Sequence, residues 1–264
     1  MRHQPRKRFG QNFLHDPAVI QRIVNAIQPQ AGQHLVEIGP GQGAITTRLI
    51  DRCEKLDVVE LDRDLISGLH TLSQADHFNI HNADALRFDF CSLVEKSEKL
   101  RLLGNLPYNI STPLLFHLLG QSGCILDLHF MLQKEVVERI VAPPGSKTYG
   151  RLSVAIQARC SCEMLFLIGP GAFKPAPKVE SAIVRLVPDM DAMQVIRYPQ
   201  LLDQILQQAF SQRRKIVLNS LKKSIDGPML EAVGIDPTAR AETISVSSYV
   251  KLANLAGDRK KQPL

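Results

Sequence analysis

Glu37-Ile-Gly39-Pro-Gly41-Gln-Gly43 constrains the architecture of this chain more than any other stretch. It follows the short apolar run His34–Ile38 and opens a helical segment from about Ala44 to Cys53, so a strand passes into a helix through a glycine turn. Such a turn exposes backbone amides and the positive end of a helix dipole to an approaching polar ligand. The unit then recurs. Leu56–Leu61 reads as a second strand and Asp62 to about Ser73 as its helix. Phe78–Ile80 reads as a third strand, Leu100–Leu103 as a fourth leading to a helix from about Ser111 to Leu119, and Leu126–Leu132 as a further strand. This alternation predicts an α/β fold with a parallel sheet covered on both faces, and ligands at the carboxyl ends of its strands.

The flanks differ from this body. Val19, Ile20, Ile23, Val24 and Ile27 recur at helical spacing after Asp16-Pro17, a capping acid followed by a first-turn proline. Near Phe173-Lys-Pro-Ala-Pro-Lys-Val179 the alternation gives way to a proline-rich loop, and Ala182–Val187 predicts a last strand. From about Tyr198 the pattern is helical, with Leu201, Leu202, Ile205, Leu206 and Ala209 on one stripe and Ile216, Leu218 and Leu221 on another. A boundary near residue 190 is therefore expected, with a catalytic domain over 1–190 and a helical domain over 191–264.

Charge is distributed along the same division. The net +6 is made of +4 over residues 1–15, where Arg2, Arg6, Lys7 and Arg8 face no acid, −2 over residues 16–189 and +4 over residues 190–264. Basic ends on a nearly neutral body suit phosphate backbones. The five cysteines, Cys53, Cys91, Cys124, Cys160 and Cys162, show no spacing of a disulfide framework or zinc site and are expected to be reduced thiols in a cytoplasmic protein. No apolar run reaches membrane-spanning length, so neither secretion nor membrane insertion is expected.

Two constellations carry chemistry. Glu60 ends the second strand 21 residues beyond Gly39, where a carboxylate can accept from ribose hydroxyls, while Gly39 and Gly41 allow close backbone approach. Gly39-x-Gly41-x-x-Ala44 also fits a tolerant dinucleotide fingerprint, so an NAD-dependent oxidoreductase stands as a competitor. The leading Glu37 and the Gly-x-Gly-x-Gly spacing look more like the nucleoside-methionine site of a methyltransferase, with Asp84 then available to an adenine amine. The second constellation is Asn105-Leu106-Pro107-Tyr108 at the end of the fourth strand. Asn105 and the Leu106 carbonyl are acceptors for an exocyclic amine, Pro107 fixes φ and brings no N–H, and Tyr108 offers a ring face. Phe173, in the loop with Pro175 and Pro177, is the candidate for the opposite face of an extruded base.

In this order, Arg8-Phe-Gly-Gln-Asn-Phe-Leu14, Glu37–Gly43, Val59-Glu-Leu-Asp62, Asn105–Tyr108 and Phe173–Ser181 resemble the ribosomal RNA adenine dimethyltransferase family over nearly the whole chain. The erythromycin-resistance methylases, which modify large-subunit RNA, share the catalytic motifs. The resemblance implies a Rossmann-like S-adenosylmethionine-dependent domain with a small all-helical C-terminal domain. It further implies dimethylation of two adjacent adenosines in a hairpin loop near the 3′ end of 16S rRNA in the small ribosomal subunit; the protein itself is expected to be a monomer. By resemblance Asn12 and Leu14 contact the cofactor, Gly39 its methionine part, Glu60 its ribose and Asp84 its adenine, with Asn105 at the junction with substrate. Arg6, Lys7, Arg8, Arg213, Arg214, Lys215, Lys222 and Lys223 would grip rRNA phosphates. A role in subunit assembly through RNA binding is the alternative of a different class.

Overall fold

The structure, a computed structural model, describes residues 11–72, 74–95, 97–212 and 214–261. Arg2, Arg6, Lys7, Arg8 and Arg213 lie outside the described residues. The chain divides into two units, one of residues 1–137 and 163–188, the other of residues 138–162 and 189–264. The break at 188/189 falls beside the boundary expected near 190. Residues 138–162, expected in the first domain, cluster instead with the C-terminal helices.

In chain order the first part runs β1 (Phe13–Leu14), α1 (Pro17–Ile27), β2 (His34–Ile38), α2 (Thr46–Leu49), β3 (Lys55–Glu60), α3 (Arg63–Leu69) and β4 (Phe78–Asn82). It continues with β5 (Leu100–Asn105), α4 (Ser111–Leu119), β6 (Ile125–Gln133), α5 (Lys134–Ile140), α6 (Arg151–Gln157), β7 (Cys160–Ile168), β8 (Phe173–Lys174) and β9 (Ser181–Pro188). Then come α7 (Met190–Val195), α8 (Pro199–Ala209), α9 (Val217–Leu221), α10 (Gly227–Ala232) and α11 (Val246–Lys261). Among the described residues no helix is long and apolar enough to cross a membrane.

Seven strands form one sheet in the order β4-β3-β2-β5-β6-β9-β7. Pairs β2/β3, β2/β5, β3/β4 and β5/β6 are parallel, and β6/β9 is antiparallel. The expected wholly parallel sheet is thus corrected to a mixed one. β9 follows its sheet neighbour β7 through a proline-rich stretch with no α-helix between them, and a return without a crossover can pair antiparallel. After β2 the chain builds outward through β3 and β4, then comes back to place β5 on the other side of β2. A crevice for ligands opens at such a switch point, outside the carboxyl ends.

Helix α1 forms as its sequence predicts. The Asp16 carboxylate accepts from Ala18 N at 2.9 Å and Val19 N at 3.2 Å, Pro17 opens the first turn, and Ile20, Ile23, Val24 and Ile27 are buried. Its far end rests on Arg101 of β5. That buried guanidinium donates to the carbonyls of Ile27 at 2.7 Å and Gln28 at 3.2 Å and to Gln33 Oε1 at 2.8 Å, and it binds both Asp127 oxygens at 2.9 Å. The unsatisfied carbonyls of a helix end thereby meet a cation, which the dipole favours. A second polar row crosses the sheet at Asp57 on β3, which His34 on β2 and His81 on β4 both bond. Burial raises the Asp57 pKa, but the two imidazole hydrogen bonds together with the charges of His34 and Lys55 outweigh it and hold the carboxyl below its ordinary range.

The core of this unit packs α1, the sheet and α3 through residues including Val24, Leu35, Leu56, Leu69, Leu103 and Ile183. The helical unit has its own centre, an aromatic chain in which Tyr149 meets Phe210 edge-on at 6.2 Å and Phe210 meets Tyr249 at a tilt at 5.8 Å between ring centroids. Both tyrosine hydroxyls are satisfied by backbone carbonyls, Tyr149 on Ile244 and Tyr249 on Ala241, each at 2.9 Å. Leu202, Ile205, Leu206 and Ala209 of the expected α8 stripe are buried, while Leu201 is only partly so.

Cysteine pairing corrects an expectation. Cys91 and Cys124, 33 residues apart, are joined as a disulfide with a Cα–Cα separation of 5.4 Å, while Cys53, Cys160 and Cys162 are free thiols. No local spacing announces the pair, because only the meeting of the short turns Phe90–Leu93 and Ser122–Cys124 brings the two sulfurs together.

Candidate active site

β2 and β5 are neighbours, so the glycine turn after Ile38 and the Asn105 segment open into the same crevice. They approach closely because Gly104 has no side chain: a Cβ there would run into the Ile38 carbonyl. Gly39, Gly41 and Gly43 take φ of 68°, 60° and 80°, which carries the turn back over the strand ends. Gly39 donates its amide to the Val59 carbonyl at 2.9 Å, tying the turn to β3.

A cleft of about 340 Å³ results, at the lower end of the range of ligand pockets. Asn12, Leu14, Gly39, Gly41, Glu60, Asp84, Asn105, Leu106, Pro107 and Tyr108, all expected from sequence, line it together. Leu61, Leu65, Ala85 and Ile110 add apolar wall that the sequence did not single out, and Leu61 is 49% exposed, as suits the open side of a site for a flat ring.

Carboxylates give the cleft its electrostatic character. Glu37 is buried in the lining, accepts from the Thr46 hydroxyl at 2.6 Å, and is pushed up to about 7 by burial, against the Thr46 bond and with the help of Glu60. Glu60 is buried too, and burial raises its pKa although its two oxygens accept backbone N–H groups from Asp62 at 2.8 Å and Gly41 at 3.2 Å. Asp84 accepts from Leu86 N at 3.0 Å, fixing its side chain at the rim beyond β4. Glu37 was legible only as the first residue of its motif; its hydroxyl partner nine residues on is visible in the fold alone.

A strap from the N-terminal side crosses this end of the sheet. Gln11 Nε2 donates to Asp62 at 2.8 Å, and β1 pairs antiparallel with β8 in the register Phe13↔Lys174 and Leu14↔Phe173. The Asn105 side-chain amide donates to the Asn12 carbonyl at 2.9 Å. That bond sets the orientation of the Asn105 amide and leaves Oδ1 as an acceptor. Leu106 N donates to Met131 O at 3.2 Å, and the next peptide runs into Pro107, so the segment is fixed from both sides. Tyr108 is half-buried, its hydroxyl 2.8 Å from Ser181 Oγ, and burial raises its pKa, so it stays neutral.

Phe173 is the one expected residue that the structure does not bring to this place. It does not line the cleft and is 3% exposed, packed with Leu14, Ile168, Ala172 and Ile183. Its strand pairing with Leu14 turns the ring into the core, so no face is free for a base and its stacking role is withdrawn. The loop it begins, which includes a cis Lys174-Pro175 peptide, instead supplies Ser181 to Tyr108.

Residues 2–258 match a model of the family described as Ribosomal RNA adenine dimethylase. A protein of Pseudomonas aeruginosa named Ribosomal RNA small subunit methyltransferase A is 54% identical over 253 residues, which cover 96% of this chain and 94% of that one. Its namesake in Pseudomonas putida is 50% identical over 98% of this chain and 97% of its own length. Among solved structures, a dimethyladenosine transferase from Plasmodium falciparum matches with a TM-score of 0.78 at 24% identity, covering 93% of this chain and 98% of that one. The 23S rRNA methyltransferase ErmE matches with a TM-score of 0.70 at 22% identity over 92% of this chain and 98% of its own. At that identity the two structures establish the Rossmann-like methyltransferase fold.

Proposed function

The chain belongs to the ribosomal RNA adenine dimethylase family, and from that premise we propose how its cleft carries out the reaction. It is a methyltransferase acting on adenine in ribosomal RNA. The substrate we assign is a pair of adjacent adenosines in the hairpin loop near the 3′ end of 16S rRNA within the small ribosomal subunit, in the cytoplasm, with S-adenosylmethionine as methyl donor. The small-subunit name shared by relatives of about half identity supports that choice over large-subunit RNA.

The observation that carries the proposal is the position of Asn105. It stands at the end of β5 beside the glycine turn of β2, with Nδ2 committed to Asn12 and Oδ1 left for a ligand. The carboxylates decide which cofactor suits the turn. Gly41 N, an amide that a pyrophosphate would need, is already held by the Glu60 carboxylate, and Glu37 is a second buried acid in the same lining. A dinucleotide would meet repulsion where the family of dehydrogenases offers free amides. Hydroxyls, an ammonium and an exocyclic amine, all donors, find acceptors in Glu60, Glu37 and Asp84.

When bound, S-adenosylmethionine supplies an electrophilic methyl on a cationic sulfur. The residues supply position. An adenine amine is a weak nucleophile because its lone pair is delocalised into the ring, and two acceptors bonding its hydrogens out of plane draw it toward tetrahedral geometry. Asn105 Oδ1 and the Leu106 carbonyl are the acceptors we assign to this, and as positive charge develops on nitrogen both dipoles stabilise it without a general base. The proton leaves to solvent after transfer. Tyr108 provides the wall for a base taken out of its stack, a contact worth roughly 1–3 kcal/mol. Exposed Arg214, Lys215, Lys222 and Lys223 of the helical unit are suited to rRNA phosphates. Incubating the protein with labelled S-adenosylmethionine and undermethylated small subunits tests the proposal: label in 16S rRNA is expected, and none would refute it.

A further inference from the structure

Resting on the site proposed above, we infer that Ser181 is a positioning residue for methyl transfer, setting the angle of the Tyr108 ring through a hydroxyl pair. The two oxygens lie 2.8 Å apart although the residues are 73 positions apart in sequence. Ser181 is fully buried and is the first residue of β9, paired across to Gln133, the last residue of β6. Its neighbour Glu180 is pinned twice to Lys134, by carbonyl to backbone amide at 2.9 Å and by carboxylate to ammonium at 2.8 Å. The serine is therefore attached to the sheet on both sides.

Tyr108 needs such an anchor. It sits in the short segment between β5 and α4, whose backbone is held by Ile110 N on the Pro107 carbonyl at 3.1 Å and by the Ser111 hydroxyl on the Tyr108 carbonyl at 3.2 Å. Those bonds fix the main chain and leave two side-chain torsions to be set. The hydroxyl pair fixes the ring at its far end, so the face offered to a base is chosen before the base arrives. Ordering a side chain in advance removes a cost that would otherwise fall on the binding step. The Phe173–Ser181 motif thereby acquires a physical role at each end, since its first residue packs the core and its last one aims the wall of the substrate site.

Single-turnover transfer at saturating cofactor separates this from a purely structural role. Ser181→Ala and Tyr108→Phe each remove the same bond, and each is expected to slow transfer about three- to tenfold, with cofactor affinity within about twofold of the parent. The double variant is expected to be no slower than the slower single one, since the bond can be lost only once. Parental rates in both single variants would overturn the inference, as would losses that multiply in the double variant or that track a fall in cofactor affinity and melting temperature. Tyr108→Ala distinguishes the two levels. If it abolishes transfer while Ser181→Ala does not slow it, the inference fails and the substrate site stands; if Tyr108→Ala retains the parental rate, the site itself is wrong.

Discussion

Asn105→Ala removes two contributions that the structure separates. The first is the neutral bond from Nδ2 to the Asn12 carbonyl at 2.9 Å, which is half-buried and contributes about 0.5–1.5 kcal/mol. Its loss loosens the strap, so cofactor affinity should fall by roughly two- to tenfold. The second is Oδ1, a dipole that the proposed mechanism aims at a nitrogen that becomes cationic during transfer. Removing one such preorganised group costs about 2.7–4 kcal/mol, or roughly 100- to 1,000-fold in rate. With cofactor and small subunits both saturating, single-turnover transfer reads the second alone, and calorimetric titration of the cofactor reads the first. Asn105→Asp restores an acceptor while setting a carboxylate against the Asn12 carbonyl, so its rate should lie between parent and alanine variant. A rate for Asn105→Ala within tenfold of the parent, or Asn105→Asp no faster than Asn105→Ala, would refute the assignment of Oδ1 to the substrate amine.

Glu60→Gln puts an NH2 where an oxygen accepts from either Gly41 or Asp62; losing a bond to a charged acceptor, about 1.5–3 kcal/mol, should weaken cofactor binding by roughly 10- to 100-fold, and unchanged calorimetric affinity would count against the ribose assignment. Glu37 titrates near 7 in the folded protein against an ordinary 4.5, so the unfolded chain loses its proton first and stability falls as pH rises from about 4.5 to about 7, by on the order of 3 kcal/mol. His129, held down at about 4 chiefly by burial, contributes the opposite slope below 6.5 in every variant, so the difference in urea-unfolding free energy between parent and Glu37→Gln isolates the carboxyl; a difference that does not change with pH would exclude the raised pKa. Arg101→Met leaves Asp127 buried without its bidentate partner and the carbonyls of Ile27 and Gln28 without a cation, which should cost about 3–5 kcal/mol and on the order of 10 °C in melting temperature; a shift under about 2 °C would show that the ion pair is dispensable.

What the sequence discloses here is what local pattern controls. Strands such as His34–Ile38 and helices such as Ser111–Leu119 were legible because apolar spacing, Asp16-Pro17 and the glycine turn act within a few residues. The cleft was legible because its donors and acceptors cluster in motifs at strand ends, and a parallel sheet collects strand ends at one edge. Features that depend on contacts between distant segments were hidden. Phe173 has the composition of a stacking platform, yet pairing with Leu14 buries it; Ser181 looks like a motif's last letter until its hydroxyl meets Tyr108. Cys160–Ile168 forms a nine-residue strand without strict alternation, because it lies at the sheet's edge with most positions partly exposed. Residues 138–162 are assigned to the helical unit by their packing.

Mass mapping of the modified nucleotide tests the central claim most directly: small subunits lacking the modification are incubated with the protein and isotopically labelled S-adenosylmethionine, and the 16S rRNA is then digested and sequenced. Two labelled methyl groups on N6 of each of two adjacent adenosines in the hairpin loop near the 3′ end are expected, together with their loss when Asn105→Ala replaces the parent protein. Label on large-subunit RNA, on another atom of the base, or at full yield with the Asn105→Ala protein would contradict it.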